Sequence, residues 1–580
     1  MRKSALALAA LASTLVAGVA AALPPPPPPP ALFENAASRG LVGVQGMQVA
    51  FADLDGDGWP DVVADKTKVY YNRPSPEGGR TFVHAEHDLG EPRAARGFDS
   101  VQFGDVNNDG HLDAFFGRRT DLSNEKFQDD GLRNEVWLEG TRKVESSGVE
   151  EHAETTQCAC FVDYDRDGVL DLLVGNDYVA YGKGYEAFPT RLYHGRGDGT
   201  FEDVTEKAGM LGVEEVGKPN SRRPCYGVTH TDWNNDGWQD LLICTYGRQA
   251  NRLWRNNGDG TFTDLAEATH FDGDDDRSGK YTDEVKKKLH FEDEPPWRSN
   301  GNTFDAAVAD YDGDGNMDVF LACITHWWAG PSSDLSMLLV NQGPGKGFVF
   351  QRRPELIERP HPGEHWNQGD LHAGWLDVDN DGLLDLVIAS SDYPDEQILR
   401  LYHQRPDHTF EDWTDRLGFK WINASHISFG DFDGDGATDI LVGTSNMRLT
   451  AEQVKAHSLD IGLWRNTCAA AAGNTFLNVR LVGGGRGKAN RDAIGARVTL
   501  WIDGKRQTRE VQGGLGCGGH RDDTDCRFGV GKAKKVDRLE VRWPDAAQSV
   551  QVFTDVPTGK FYVLEQGHDM REGRSPRIWR

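Results

Sequence analysis

The stretch "DYDGDGNMD", residues 310 to 318, sets aspartates at 310, 312, 314 and 318 around Gly315 and runs straight into the apolar "VFLAC". Carboxylates this close repel one another at neutral pH unless a cation lies among them, and such a density of oxygen ligands suits a hard ion such as Ca²⁺. Asp and Gly also build ordinary turns, so recurrence decides the reading. Six further copies occur: "DLDGDGWPD" from 53, "DVNNDGHLD" from 105, "DYDRDGVLD" from 163, "DWNNDGWQD" from 232, "DVDNDGLLD" from 377 and "DFDGDGATD" from 431. All seven keep Asp at positions 1, 5 and 9 and Gly at position 6.

An EF-hand needs Glu at position 12, where these copies carry Ala64, Phe116, Val174, Ile243, Leu321, Ile388 and Val442. Position 9 leads instead into short β-branched runs such as "LLVG" and "ILVG", and period-2 apolar residues precede each loop. Each loop therefore joins two strands. A second recurring unit, as in "RLYHGRGDGTFEDVT" (191–205) and "RLWRNNGDGTFTDLA" (252–266), reads as another hairpin. Seven four-stranded units, spaced 52 to 78 residues apart, predict an all-β fold, a seven-bladed β-propeller. The segment "LFENAASRGL" (32–41) resembles the outer strand "FEDVTEKAGML" (201–211) but has no blade ahead of it, so it is expected to close blade 7 beside Leu463 to Asn466.

The repeats, over residues 32–470, resemble the FG-GAP/VCBS, integrin-α-like family, with "FG" itself at 103–104 and 429–430. Ions would be held by side chains at positions 1, 3, 5 and 9 and the carbonyl at position 7. The candidates are Asp53, Asp55, Asp57 and Asp61; Asp105, Asn107, Asp109 and Asp113; Asp163, Asp165, Asp167 and Asp171; Asp232, Asn234, Asp236 and Asp240. Asp310, Asp312, Asp314 and Asp318, Asp377, Asp379, Asp381 and Asp385, and Asp431, Asp433, Asp435 and Asp439 complete the set. Up to seven Ca²⁺ follow, structural rather than catalytic. Asn107 and Asn234 each remove one charge, so the second and fourth loops are expected to bind more weakly.

After "GLWRNTCAAAAGNTF" (462–476) the loops stop and alternating strands with Gly and Pro-Asp turns form a small β-rich, sandwich-like domain, 474–568, followed by a tail, 569–580. The order of "NRDAIGARVTL" (490–500) and "RFGVGKAKKVDRLEVRWPD" (527–545) resembles the ASPIC/UnbV domain. That domain follows VCBS repeats in proteins similar to cartilage acidic protein, and the chain looks like their short bacterial form.

Residues 1–22 have the basic start, apolar stretch and Ala-x-Ala exit of a secretory signal peptide, and the prolines that follow make a stiff linker, 23–31. The mature chain is expected to be exported, whether secreted, periplasmic or at the cell surface, with no membrane span. Net charge is −28, but the loops alone hold 26 carboxylates and seven Ca²⁺ would halve it, so the acidity is site chemistry. It argues against nucleic acid or an anionic membrane as partner. Cys517 and Cys526, across a Gly- and Asp-rich loop, are the expected disulfide; Cys225 and Cys244 are a further candidate pair. Cys158 and Cys160 read as buried thiols.

Aromatic and histidine residues gather in "THWWAG" (325–330) and "HPGEHWNQGDLH" (361–372), which the strand directions place on the face away from the metal loops. Trp327, Trp328, His365 and Trp366 are the candidate ligand site. Five residues before successive loops stand Cys158, Asp305, His372 and His426, expected to line the central channel. The function expected is binding of an extracellular protein or glycan. The alternative, a lyase or hydrolase acting on extracellular polysaccharide at that distal face, has no nucleophile-elbow, HExxH or phosphate-loop motif behind it.

Overall fold

Position 6 of every loop is glycine because the chain turns left-handed there: φ lies between +81° and +100° at all seven. Position 4 is left-handed as well, at Gly56, Asn108, Arg166, Asn235, Gly313, Asn380 and Gly434, which accounts for the Gly and Asn preference. Two such reversals within three residues bring the chain back on itself, and the residue before each loop pairs with its position-9 aspartate, as Val162 does with Asp171 and Ala309 with Asp318.

The computed structural model describes residues 31–575 apart from 91–99, 120–130, 132, 277–282, 290–294, 358, 360–366, 392–396, 448, 457, 515 and 517–521. Seven antiparallel four-stranded units follow one another, six of them running Val49–His84, Ser100–Lys143, Thr156–Asp203, Cys225–Asp264, Asn302–Arg353 and Gln368–Asp412. The innermost strands of successive blades pack side by side, and apolar clusters fill each seam, for example Ala50, Val63, Phe103 and Phe116 between blades 1 and 2. This is a seven-bladed β-propeller. Blades 5 and 6 are further joined where Ile324 and Thr325 pair with Gly369 and Gln368.

Blade 7 closes as its sequence predicts. Its own strands are Ala424–Gly430, Asp439–Thr444 and Gly462–Asn466, and the fourth is Phe33–Asn35, antiparallel with Phe33 opposite Asn466. Leu32 and Phe33 are buried there among Leu401, Leu417 and Phe429.

The C-terminal domain has two four-stranded sheets. One holds Thr475–Val482 between Cys526–Gly531 and the parallel strand Lys560–Glu565; the other is built on Arg497–Ile502 and Lys535–Arg542. Their inner faces, with Leu477, Val498, Leu500, Leu539 and Trp543, form one apolar core that continues into Phe115, Phe161 and Leu170 of blades 2 and 3. Of the expected Cys517–Cys526 pair, Cys517 lies outside the described residues, and Cys526 is a free thiol buried in this core, opposite Val479. Cys225 and Cys244 do not oppose each other, since a bulge sets them opposite Thr245 and Gly227. Cys225 Sγ lies instead 3.7 Å from Cys158 Sγ of the neighbouring blade.

Candidate cation loops and the two faces of the propeller

The seven loops share one hydrogen-bond scheme. The position-1 aspartate accepts the N–H of the position-6 glycine at 2.7 to 3.2 Å in every loop. The position-5 aspartate accepts the N–H of position 7 at 2.8 to 3.0 Å. Position 9, fully buried each time, accepts two: the N–H of position 2 on Oδ2, and on Oδ1 a backbone N–H at 2.8 Å from the third strand or, in loop 2, from Glu139 just past it. This scheme needs carboxylates, with two acceptor oxygens each, and explains why position 9 never varies.

The scheme gathers acidic oxygens. Ligand atoms of Asp53, Asp55 and Asp57, of Asp163, Asp165 and Asp167, and of Asp310, Asp312 and Asp318 lie within 4.8 Å of one another. Burial, with the neighbouring carboxylates adding to it, pushes Asp61 up to about 8 and Asp312 and Asp381 up to about 6. Burial likewise lifts Asp113 and Asp171 to about 7. In Asp53, Asp163 and Asp232 the oxygen not used by the glycine is buried without a hydrogen-bond partner. Bare, buried carboxylate oxygens beside further carboxylates fit a hard divalent cation, and the all-oxygen donor set favours calcium over softer metals. Asn107 and Asn234 turn their amide N–H₂ onto Asp109 and Asp236, at 2.9 and 2.8 Å, so each amide partners a loop carboxylate and relieves its repulsion without adding a charge for a cation.

Four loops carry a basic group that the repeat pattern did not single out. Arg73 bridges Asp55 and Asp57, and Arg465 bridges Asp433 and Asp435. His194 lies 3.0 Å from Asp171 and 3.3 Å from Asp165, and its hydrogen bond to Asp171 raises it to about 9. His403 lies 2.8 Å from Asp385; burial works against its charge, but the bond to Asp385 prevails and raises it. The signal available in the sequence is their place on the third strand, a few residues before the "DGTF"-type turn.

The C-terminal domain sits on the loop side of the ring. A Cβ built on the seven position-6 glycines would meet, in loop order, Arg574 of the tail and Arg491, Lys488, Gln548, Arg506, Gln507 and Phe476 of that domain. The domain also enters the channel: the N–H of Gly513 donates to His230 Nε2 at 2.9 Å and that of Phe161 to Gly513 O at 3.1 Å. Gly516 lies against His372 and Asp305, so closely that a Cβ would stand 2.7 Å from the imidazole. Of the expected channel residues, Asp305, His372 and His426 meet, with 3.4 Å between Asp305 and His372.

The opposite face bears the aromatic residues. Trp327 and Trp328 are half-buried around Ala329, with Trp328 stacked on His326 and beneath Arg248. His365 and Trp366 lie outside the described residues. A larger aromatic group adjoins them: Tyr178, Tyr181, Tyr226, Tyr246 and Phe304, which the sequence reading did not single out, pack in stacked and edge-to-face contacts, and Tyr185 meets Trp297 at 5.4 Å. Tyr181 is 45% and Tyr185 39% exposed, the two aromatic rings among the large exposed apolar side chains of the described residues. They follow the second strand of blade 3, as Trp327 follows that of blade 5, so the same connection could have been searched for rings in every blade.

Residues 485–570 match the ASPIC and UnbV family, and residues 232–283 and 377–442 match the FG-GAP-like repeat. The chain carries FG-GAP-like repeats and an ASPIC/UnbV domain. No curated protein matches it. Similar solved structures include the exotype rhamnogalacturonan lyase YesX, at 11% identity and TM-score 0.35 over 73% of this chain and 72% of that one. A rhamnogalacturonan lyase from Bacillus licheniformis gives 11% and 0.37 over 73% and 72%, and the rhamnogalacturonan lyase YesW 13% and 0.29 over 74% and 87%. Likeness at this level carries no activity over to an FG-GAP and ASPIC/UnbV chain.

Proposed function

We propose that this chain is an exported, calcium-binding β-propeller whose loop face is structural and whose opposite face binds an extracellular glycan or protein. The observation that carries the reading is the difference between the faces. The ASPIC/UnbV domain covers the loops, whereas Tyr181 and Tyr185 stand exposed on the other side, with Trp328 and Arg248 close by in the same aromatic belt. Flat rings on rigid connections stack on sugar faces or anchor a protein partner. Calcium's part is to neutralise the loop carboxylates and so hold the blades.

The test is a glycan array and a panel of extracellular proteins probed with the full chain in millimolar calcium, with an assay for new reducing ends on any glycan bound. Binding without cleavage, lost in Tyr181→Ala/Tyr185→Ala, is the result expected. Binding unchanged in that variant moves the site elsewhere, and release of reducing ends replaces a binding role by an enzymatic one.

A further inference from the structure

The ASPIC/UnbV domain and the cation loops share carboxylates. In loops 1 and 7 the oxygen Oδ2 of the first aspartate, already bonded to the loop glycine, also accepts a guanidinium N–H: from Arg480 of the domain at Asp53, 2.8 Å, and from Arg574 of the tail at Asp431, 2.6 Å, the tail being held to the domain by the pairing of Arg571 and Glu572 with Val563 and Tyr562. Arg542 does the same to Asp232 of loop 4. In loop 3 the amide of Asn490 takes the same place at Asp163, at 3.3 Å. The other oxygen, Oδ1, is the one left bare and buried in Asp53, Asp163 and Asp232. A single side chain thus has one oxygen tied to the domain and one turned inward. These four contacts come from two strands, a segment just beyond the last strand and a loop, so they are not one repeated accident of sequence.

We infer that the ASPIC/UnbV domain forms the outer sphere of the propeller's cation sites, so that binding of the ion and seating of the domain strengthen each other. The inference rests on the reading that the loops hold a divalent cation. Two physical effects give its sign. Groups that bond the outer oxygen of a ligand fix its direction, so an ion meets a ligand already aimed; loss of such partners typically weakens a metal about 10- to 100-fold. Seating the domain also takes water from the loop carboxylates, and a buried, uncompensated charge is costly. The ion supplies the compensation that water no longer can. The same coupling, read from the other side, means that removing the ion loosens the domain.

The experiment uses the full chain. Calcium titration by calorimetry compares the wild type with Arg542→Met and Arg574→Met, with Asp232→Asn marking the fourth site; hydrogen exchange of the domain strands is followed in calcium and in EGTA. The expected result is one site weakened about tenfold or more in each arginine variant, and faster exchange over 497–510 in the wild type when calcium is removed. Arginine variants that bind as many ions as tightly, with exchange indifferent to EGTA, overturn the inference and leave the cation reading standing. A wild type that binds no calcium overturns both. The exchange measurement needs no variant, so a substitution that fails to fold does not remove the test.

Discussion

Arg73 places one terminal nitrogen 2.5 Å from Asp55 Oδ2 and the other 3.2 Å from Asp57 Oδ2, so the first loop contains a cation of its own. Arg465 does the same in loop 7. A calcium ion entering either loop must displace a guanidinium. Loops 1 and 7 are therefore expected to bind calcium less tightly than loop 5. Arg73→Gln should tighten the first site two- to fivefold, because a pair about a third exposed contributes only about 0.5 to 1 kcal/mol. Calorimetric titration at low salt checks this; a site left unchanged or weakened by the substitution contradicts it.

Stability should depend on pH in opposite senses with and without calcium. Folded Asp61 near 8, and Asp113 and Asp171 near 7, all stand above their unfolded value of 3.8. Between those limits the metal-free fold holds more protons than the unfolded chain. Its stability is then greatest below about pH 4 as far as these groups go, and is lost as pH rises through 7 to 8. Calcium requires the ionised carboxylates, so its contribution grows over the same interval. Melting curves in EGTA should shift upward from pH 8 to pH 5.5, while the gap between calcium and EGTA curves narrows. Parallel curves would show that the loops do not titrate in this way.

Closure of the ring should be worth measuring at one residue. Phe33 is 3% exposed and meets Phe419 edge to face at 6.4 Å. Phe33→Ala is expected to cost about 3 to 5 kcal/mol, the usual range for a buried phenylalanine, and to lower the denaturant midpoint accordingly. Deletion of residues 32–41 should go further and expose the strand Gly462–Asn466 as an edge, favouring association of chains. A truncated protein that melts unchanged and remains monomeric refutes the seam as a source of stability.

The two kinds of aromatic residue on the distal face should separate by substitution. Tyr181 and Tyr185 are exposed, so changing both to alanine is expected to alter stability by no more than about 0.5 kcal/mol each. Trp328, held between His326 and Arg248, is packed on both sides, and its replacement should cost several times as much. Chemical denaturation of the three variants decides which rings are surface and which are scaffold.

The loops, the blade count and the closing strand were legible because they repeat, and repetition turns a weak turn signal into a register. The docking of the second domain was not. Arg480, Asn490, Arg542 and Arg574 occupy unrelated local contexts, and only the folded ring brings each to a first-position aspartate. The tyrosines escaped notice because Tyr178, Tyr181 and Tyr185 are spaced three and four residues apart in a connection of blade 3 and meet Tyr226 and Tyr246 of blade 4 only in the fold, whereas Trp327 and Trp328 are adjacent in the chain. Burial of Cys526 was no more legible: spacing set it across one loop from Cys517, whereas the strand that begins there puts its thiol in the core.

Glu34 and Arg465 are 431 residues apart in the chain and form an ion pair across the last seam. A ribosome delivers the first of these long before the second. For most of its synthesis the nascent protein holds a finished strand with nothing to pair against, and the blades already made form an open arc. Sealing is then the final event and depends on a contact of extreme sequence separation, the kind that folds slowly. Chains cut short before residue 462 lack the mate for that waiting strand. An interrupted copy thus keeps an open edge where a complete one has a closed circle.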